Sequence, residues 1–339
     1  MKIRRPLPID ISGDLPKRLG NSISDAVQEI YYGTIMHSDF KKAQEGLNEC
    51  FEMSGFEGIG CKLLGPPGTG KSRLIRYLAA DIYSRDEFQP TDTLTPLPLL
   101  AIRVPGKPTI KRIVEKLLES AGHLAPSSRS GESAEMRLNR LIRYQGVRMI
   151  IFDEVQHLLR KFALTSTNDV MAFIKTLMDE HALAVCFAGM PESEALLAPF
   201  PELNQRLSYA DTRLHDFQFL STGPSNLGDF KKYVGSFNQV LVKHSIKCEP
   251  LTSDNMVSRL WLASKGSPRL LTKLIIRFVR FAEKNNGINF TQMQAIYGSC
   301  GFNGHVGQFQ VFKAPIHKVN ERAHAYQAES YDAKYPSNK

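Results

Sequence analysis

No stretch of about 18 consecutive apolar residues, the length that crosses a bilayer as a helix, occurs in this chain. The basic start, Met1-Lys2-Ile3-Arg4-Arg5-Pro6, lacks the apolar run of a secretory signal. No membrane partner is expected, and the cytoplasm, where thiols stay reduced, is the expected compartment. Cysteine is scarce. Cys50, Cys61, Cys186, Cys248 and Cys300 form no C-x-x-C pair and have no histidine at a zinc-binding spacing. Buried free thiols fit that pattern, and neither a disulfide framework nor a structural metal does. Internal repeats are also missing.

What is present is a chain of 339 residues, long enough for one large domain and a smaller one. Hydrophobic residues make up 42% and charged residues 23%, the balance of an ordinary globular protein. The net charge of +9 suits a polyanionic partner, because phosphates attract Lys and Arg at long range. A generally basic surface gives the same count, so charge alone decides nothing.

Patterning supplies more. Residues 1–37 read as an irregular lead-in with some helix, followed by a helix from Asp39 to about Met53 with Ser38 as its N-cap. Short apolar strands are expected at 58–64, 97–104, 147–152 and 182–188, with a last one at 214–220. Helical spacing fills the intervals after Lys71, from Thr109 to Ala121, from Ala134 to Tyr144 and from Asn168 to His181. Strands alternating with helices of this length predict crossover units, hence an α/β fold with a parallel sheet sandwiched by helices. That domain is expected over 38–222. Beyond the turn-rich junction at Ser221-Thr222-Gly223-Pro224-Ser225 only helical patterns follow, which predicts a small all-helical domain over 223–300. The tail, 301–339, shows no evident period and is expected to be extended or disordered unless docked.

The chemistry begins at Gly65-Pro66-Pro67-Gly68-Thr69-Gly70-Lys71-Ser72, a full match to G-x-x-x-x-G-K-[ST]. Glycines let backbone N–H groups turn inward around phosphates at the start of a helix. Lys71 is expected on the β- and γ-phosphates of ATP, and the Ser72 hydroxyl on Mg²⁺. The complement is Met149-Ile150-Ile151-Phe152-Asp153-Glu154, an apolar strand ending in two acids. Asp153 is expected to support the metal, and Glu154 to orient or deprotonate the attacking water. Together the two motifs predict an ATPase. Arg206, after the fourth strand, suits an arginine reaching a neighbouring subunit's nucleotide, with Arg213 as a weaker substitute. Arg269, in Gly266-Ser267-Pro268-Arg269, suits a contact with the γ-phosphate in cis.

With these residues the chain resembles the AAA+ ATPases over roughly residues 38–298, with the helical domain as the lid. Ile151-Phe152-Asp153-Glu154-Val155-Gln156-His157-Leu158-Leu159 and Phe187-Ala188-Gly189-Met190-Pro191-Glu192 are similar to the TnsC/TniB transposition regulators within that superfamily. The entry segment Ile35 to Ala43 is similar too. The compact length resembles the short members from CRISPR-associated transposons. The resemblance implies a homo-oligomeric ring or filament, assembled with ATP around double-stranded DNA, that connects a target-selection adaptor to a transposase. One departure stands out: Met190 occupies a place where these families have a polar, water-positioning residue. Either Glu192 or another group compensates, or hydrolysis is slow.

Under that resemblance the DNA-facing candidates are Lys107, Thr109, Lys111 and Arg112, where a loop and a helix start offer N–H groups, a hydroxyl and cations to phosphates. A second cluster is Arg129, Arg137, Arg140 and Arg143. In the tail, Phe302, Phe309, Phe312, Lys313 and His317 suit either a docking strip for a partner or plain packing on the lid. Two other functions share the motifs: a helicase loader or origin-recognition ATPase, and a nucleotide-switched signalling ATPase that never touches DNA.

Overall fold

In a computed structural model, the chain is described over residues 9–10, 23–123, 133–159, 164–220, 223 and 225–334. Arg129 with its loop, most of the first 22 residues, and Ser221, Thr222 and Pro224 lie outside the described residues. By contacts the chain forms two compact units. One comprises Met1–Lys17, Lys42–Pro67 and Lys71–Leu214; the other comprises Arg18–Lys41, Gly68–Gly70 and His215–Lys339.

The first unit is built on six strands: β1 (Ile9–Asp10), β2 (Ile59–Leu64), β3 (Leu99–Arg103), β4 (Met149–Asp153), β5 (Ala184–Gly189) and β6 (Ala210–Arg213). They lie in the order β1-β3-β4-β5-β2-β6, and every pairing is parallel. Parallel neighbours need crossovers, and here helices supply most of them: α3 (Lys71–Ser84), α4 (Ile110–Ser120), α5 (Ala134–Gln145), α6 (Leu164–His181) and α7 (Pro201–Arg206). The two middle strands, β4 and β5, are buried at every residue, because helices cover both faces of a sheet of this kind. Leu100, Ile102, Phe152 and Phe187 from the sheet pack with Ile113, Leu117, Leu141 and Ile174 from the helices.

One expectation needs correction. The last strand is Ala210–Arg213, earlier than the apolar run 214–220 suggested. An edge strand has one partner, β2, so an alanine followed by three polar residues suffices there. The apolar run serves elsewhere: Phe217, fully buried, belongs to the core of the second unit. β1 escaped notice because two residues carry no period.

The second unit is helical: α1 (Asp25–Tyr32), α8 (Leu227–Lys243), α9 (Asp254–Ser264), α10 (Pro268–Asn285), α11 (Phe290–Gly298) and α12 (Ile316–Lys334). The helix α2 (Ser38–Glu52) begins with the second unit's residues and continues into the first. Near its start, Asp39 Oδ2 lies 2.8 Å from His215 Nδ1 and accepts the Ser225 hydroxyl at 2.7 Å. Burial pushes the Asp39 pKa up, but these hydrogen bonds outweigh it and hold the carboxyl below its ordinary value.

The tail takes the docked alternative and is helical over Ile316–Lys334. Val319 and Ala323, four residues apart, are fully buried, with Tyr326 packed beside them at the next helical step. The stripe is faint in sequence because an alanine and a tyrosine make most of it. Arg259 Nη2 donates to the Ala314 carbonyl at 2.8 Å, and Gln327 Oε1 accepts the Leu220 N–H at 3.0 Å, so polar bonds fix the docked tail.

The core of this unit yields a direct test. Phe230 is fully buried, its ring 5.4 Å from that of Phe217. Phe230→Ala is expected to destabilise the unit by about 3–5 kcal/mol through lost transfer energy and a residual cavity. Val242→Ala on the same helix, at a position 72% exposed, is expected to change stability by no more than about 0.5 kcal/mol. Denaturant titration followed by the fluorescence of Trp261, the single tryptophan and itself buried in this core, reports both.

Candidate nucleotide-binding site

The loop Gly65–Ser72 leaves the buried strand β2 and enters α3 at Lys71. Gly68 and Gly70 have φ of +96° and +108°, a region that side-chain-bearing residues rarely adopt. Successive N–H groups in such a turn line a concave, electropositive surface at a helix start, where a phosphate is favoured. The Lys71 ammonium donates to the carbonyls of Gly65 at 2.5 Å and Pro66 at 3.0 Å. It thus arches over the start of the loop.

The Ser72 hydroxyl donates to Asp153 Oδ2 at 3.1 Å, joining the loop to the end of β4 although β5 separates the two strands. Asp153 is 1% exposed, and its other oxygen accepts the Glu154 N–H at 2.9 Å. Burial, and then the adjacent Glu154 carboxylate, push the Asp153 pKa above the ordinary value, against the pull of Ser72, the Glu154 amide and Lys71. A buried carboxylate so placed favours a nearby cation. The pair would fit Mg²⁺, a hard ion that takes oxygen ligands: with its hydrogen directed at Asp153, the Ser72 hydroxyl keeps its oxygen lone pairs for a metal.

Glu154 adopts φ of +60°, a left-handed conformation that ends the strand and is uncommon outside glycine, asparagine and aspartate. A 3₁₀ segment, Val155–Leu159, follows. Its Gln156 is a residue whose role sequence reading missed: its side-chain amide donates to the Glu154 carboxylate and accepts the Met190 N–H at 3.3 Å. The available signal was one amide among mostly apolar neighbours, two residues after the acid pair. Glu192, named beforehand as a possible substitute for a polar residue at Met190, is exposed in the 3₁₀ segment Pro191–Leu197.

The structure therefore brings Lys71, Ser72 and Asp153 together at one loop, and Glu154 follows Asp153 with its carboxylate on Gln156. Arg206 closes α7 and forms an ion pair with Asp179 of α6. Arg213 pairs with Glu194 at 2.9 Å. Arg269 lies exposed in the first turn of α10, in the second unit. Lys107, Thr109, Lys111 and Arg112 are all exposed at the start of α4. The Thr109 hydroxyl caps that helix by accepting the Arg112 N–H at 3.3 Å, and Arg112 Nη1 donates to the Lys107 carbonyl at 3.3 Å. Arg137, Arg140 and Arg143 are carried on α5, while Arg129 lies outside the described residues.

A phosphate loop after a buried strand, an acid pair ending an apolar one, and a separate helical unit define a P-loop protein of the AAA+ class. The particular family follows from comparison: the family described as bacterial TniB protein matches residues 31–216, more than half of the chain, and the chain belongs to it. A potential ATP-binding protein of Staphylococcus aureus is 25% identical over 142 residues, 42% of this chain and 46% of that relative. The match thus spans less than half of the relative's length. Among solved structures, Cdc6p from Pyrobaculum aerophilum matches with a TM-score of 0.54 and 15% identity, over 81% of this chain and 70% of that one. Drosophila ORC bound to DNA matches with a TM-score of 0.51 and 11% identity, over 95% and 84%. At such identities the likeness is one of fold. No helix among the described residues is long and apolar enough to cross a membrane.

Proposed function

We propose that this chain is an ATPase that regulates DNA transposition. In its ATP state it oligomerises on double-stranded DNA and links a target-selection adaptor to the transposase; hydrolysis releases the assembly. The observation that carries this reading is the Ser72–Asp153 pair at 3.1 Å beneath the loop that Lys71 spans, in a chain of the TniB family. Lys71 and the N–H groups of Gly65–Ser72 hold the β- and γ-phosphates, and Ser72 and Asp153 would hold Mg²⁺, which would supply positive charge to the transferred group. Glu154 takes a proton from water as its oxygen attacks the γ-phosphorus; the bond to the bridging oxygen breaks and ADP leaves. Arg269 supports the γ-phosphate in cis. Arg206 acts in trans, exchanging Asp179 for a neighbour's γ-phosphate when subunits assemble.

The exposed cations and capped helix start at Lys107–Arg112 suit a phosphate backbone, which implies weak sequence preference and strong salt dependence. Binding to duplex DNA is measured across a salt series with ATP, ADP or no nucleotide. ATP-dependent, salt-sensitive binding is the expected result; assembly that ignores DNA would sink the reading. In the double variant Lys107→Glu, Arg112→Glu, affinity is expected to fall by more than about tenfold and the salt slope by about 2, with ATP binding unchanged. Intact DNA binding in that variant would place the DNA on another face.

A further inference from the structure

The geometry points to Gln156 as the residue that positions Glu154 for hydrolysis, supplying the polar contact that Met190 cannot. This rests on the reading of Glu154 as the water-activating carboxylate.

Three features converge on Gln156. First, its amide can sit only one way round. A backbone N–H donates and a carboxylate accepts, so Oε1 must face Met190 N and Nε2 must face Glu154, as found. Second, the strand β5 ends against this side chain with no space to spare. A Cβ on Gly189 would meet Gln156 Oε1 at 2.9 Å, Val155 Cγ2 at 2.8 Å and Ser193 Oγ at 2.8 Å. Glycine at 189 is what lets the amide lie against the strand end. Third, the Gly189 carbonyl accepts the Gly65 N–H at 3.2 Å, which ties the same strand end to the first residue of the phosphate loop.

Glu154 is therefore held relative to the loop through a short path: Gln156, the Met190 amide, the Gly189 carbonyl, Gly65. A methionine side chain offers no N–H to a carboxylate or a water. The polar function expected at the end of β5 is displaced onto the segment after β4, from which Gln156 reaches the same strand end. The left-handed turn at Glu154 redirects the chain into that segment, and so places Gln156 two residues on.

The test compares the full-length protein with Gln156→Ala, Gln156→Glu, Glu154→Gln and the double variant Gln156→Ala, Glu154→Gln. Steady-state ATP hydrolysis and the affinity for a fluorescent ATP analogue are measured for each. Gln156→Ala is expected to lower kcat by about tenfold to a hundredfold, the scale of a misplaced reacting group, with nucleotide affinity within about twofold. Gln156→Glu keeps the length and the acceptor for the Met190 N–H but has no N–H for Glu154, and is expected to be as slow as the alanine variant. In the Glu154→Gln background, removing Gln156 is expected to add no further loss, since the two act as a unit.

Normal kcat in Gln156→Glu would overturn the proposal, because the residue would then act only through the Met190 backbone. A parallel loss of nucleotide affinity would overturn it as well, by showing a role in general folding of the site. Normal kcat in Glu154→Gln would instead remove the assignment of Glu154 itself, and with it the ground on which Gln156 stands.

Discussion

Lys71→Ala is expected to lower ATP affinity by about a hundredfold or more while leaving the fold intact. In the structure the ammonium is held over the loop by the Gly65 and Pro66 carbonyls, so it is preorganised at the entry to α3. Alanine removes the one full positive charge that the loop itself provides. Hydrogen bonds to charged groups contribute about 1.5–3 kcal/mol each, and about 1.4 kcal/mol is a tenfold change in affinity. Two such bonds to the β- and γ-phosphates account for about 10²–10⁴-fold. Alanine favours helix and fits the first position of α3, so the thermal transition without nucleotide is expected to move little. Titration with a fluorescent ATP analogue and a melt with and without Mg·ATP measure both quantities. Affinity within about fivefold of the original would mean that the loop is no phosphate cradle. DNA binding that depends on ATP should vanish together with the nucleotide.

Much of this site was legible in advance because its chemistry is local. Eight consecutive residues set the loop, and β4 with its two acids is a single run, so pattern alone located both. The two motifs put Ser72 and Asp153 on one metal ion, and the direct hydrogen bond between them is what the structure adds. Gln156 was not legible in the same way. Its partner Met190 lies 34 residues away, and the meeting depends on a left-handed residue and on a glycine with no room for a Cβ. Arg206 shows another limit: a sequence can mark an arginine as suited to a neighbour's nucleotide, but its ion pair with Asp179 follows from how α6 and α7 pack. The helix at Ile316–Lys334 was missed for a thermodynamic reason. Its buried side includes alanine, whose small side chain gives little apolar signal, while polar bonds from Arg259 and Gln327 complete the docking.

Glu154→Gln is expected to lower ATP hydrolysis by about 10²–10⁴-fold, the range that a positioned general base contributes, without weakening ATP binding. The substitution is nearly isosteric, and the new amide oxygen can still accept the Gln156 N–H, so the αL turn and the 3₁₀ segment after it are retained. What is lost is the carboxylate that accepts the water proton. A chain that binds ATP but does not turn it over accumulates in the ATP state. If that state is the one that assembles on DNA, the variant's DNA complexes should outlast those of the original protein by a factor similar to the loss in kcat. Phosphate release measures the first effect, and the decay of DNA complexes after addition of excess competitor DNA measures the second. Hydrolysis within about threefold of the original would remove Glu154 as the base. Lost hydrolysis with unchanged DNA lifetimes would mean that turnover does not end the assembly. The function would then lie in ATP binding alone, and Glu154, with Gln156 positioning it, would act at some other step. Prolonged complexes, by contrast, would tie the hydrolytic centre at the end of β4 to the time that the protein spends on its target, which is the quantity a transposition regulator has to control.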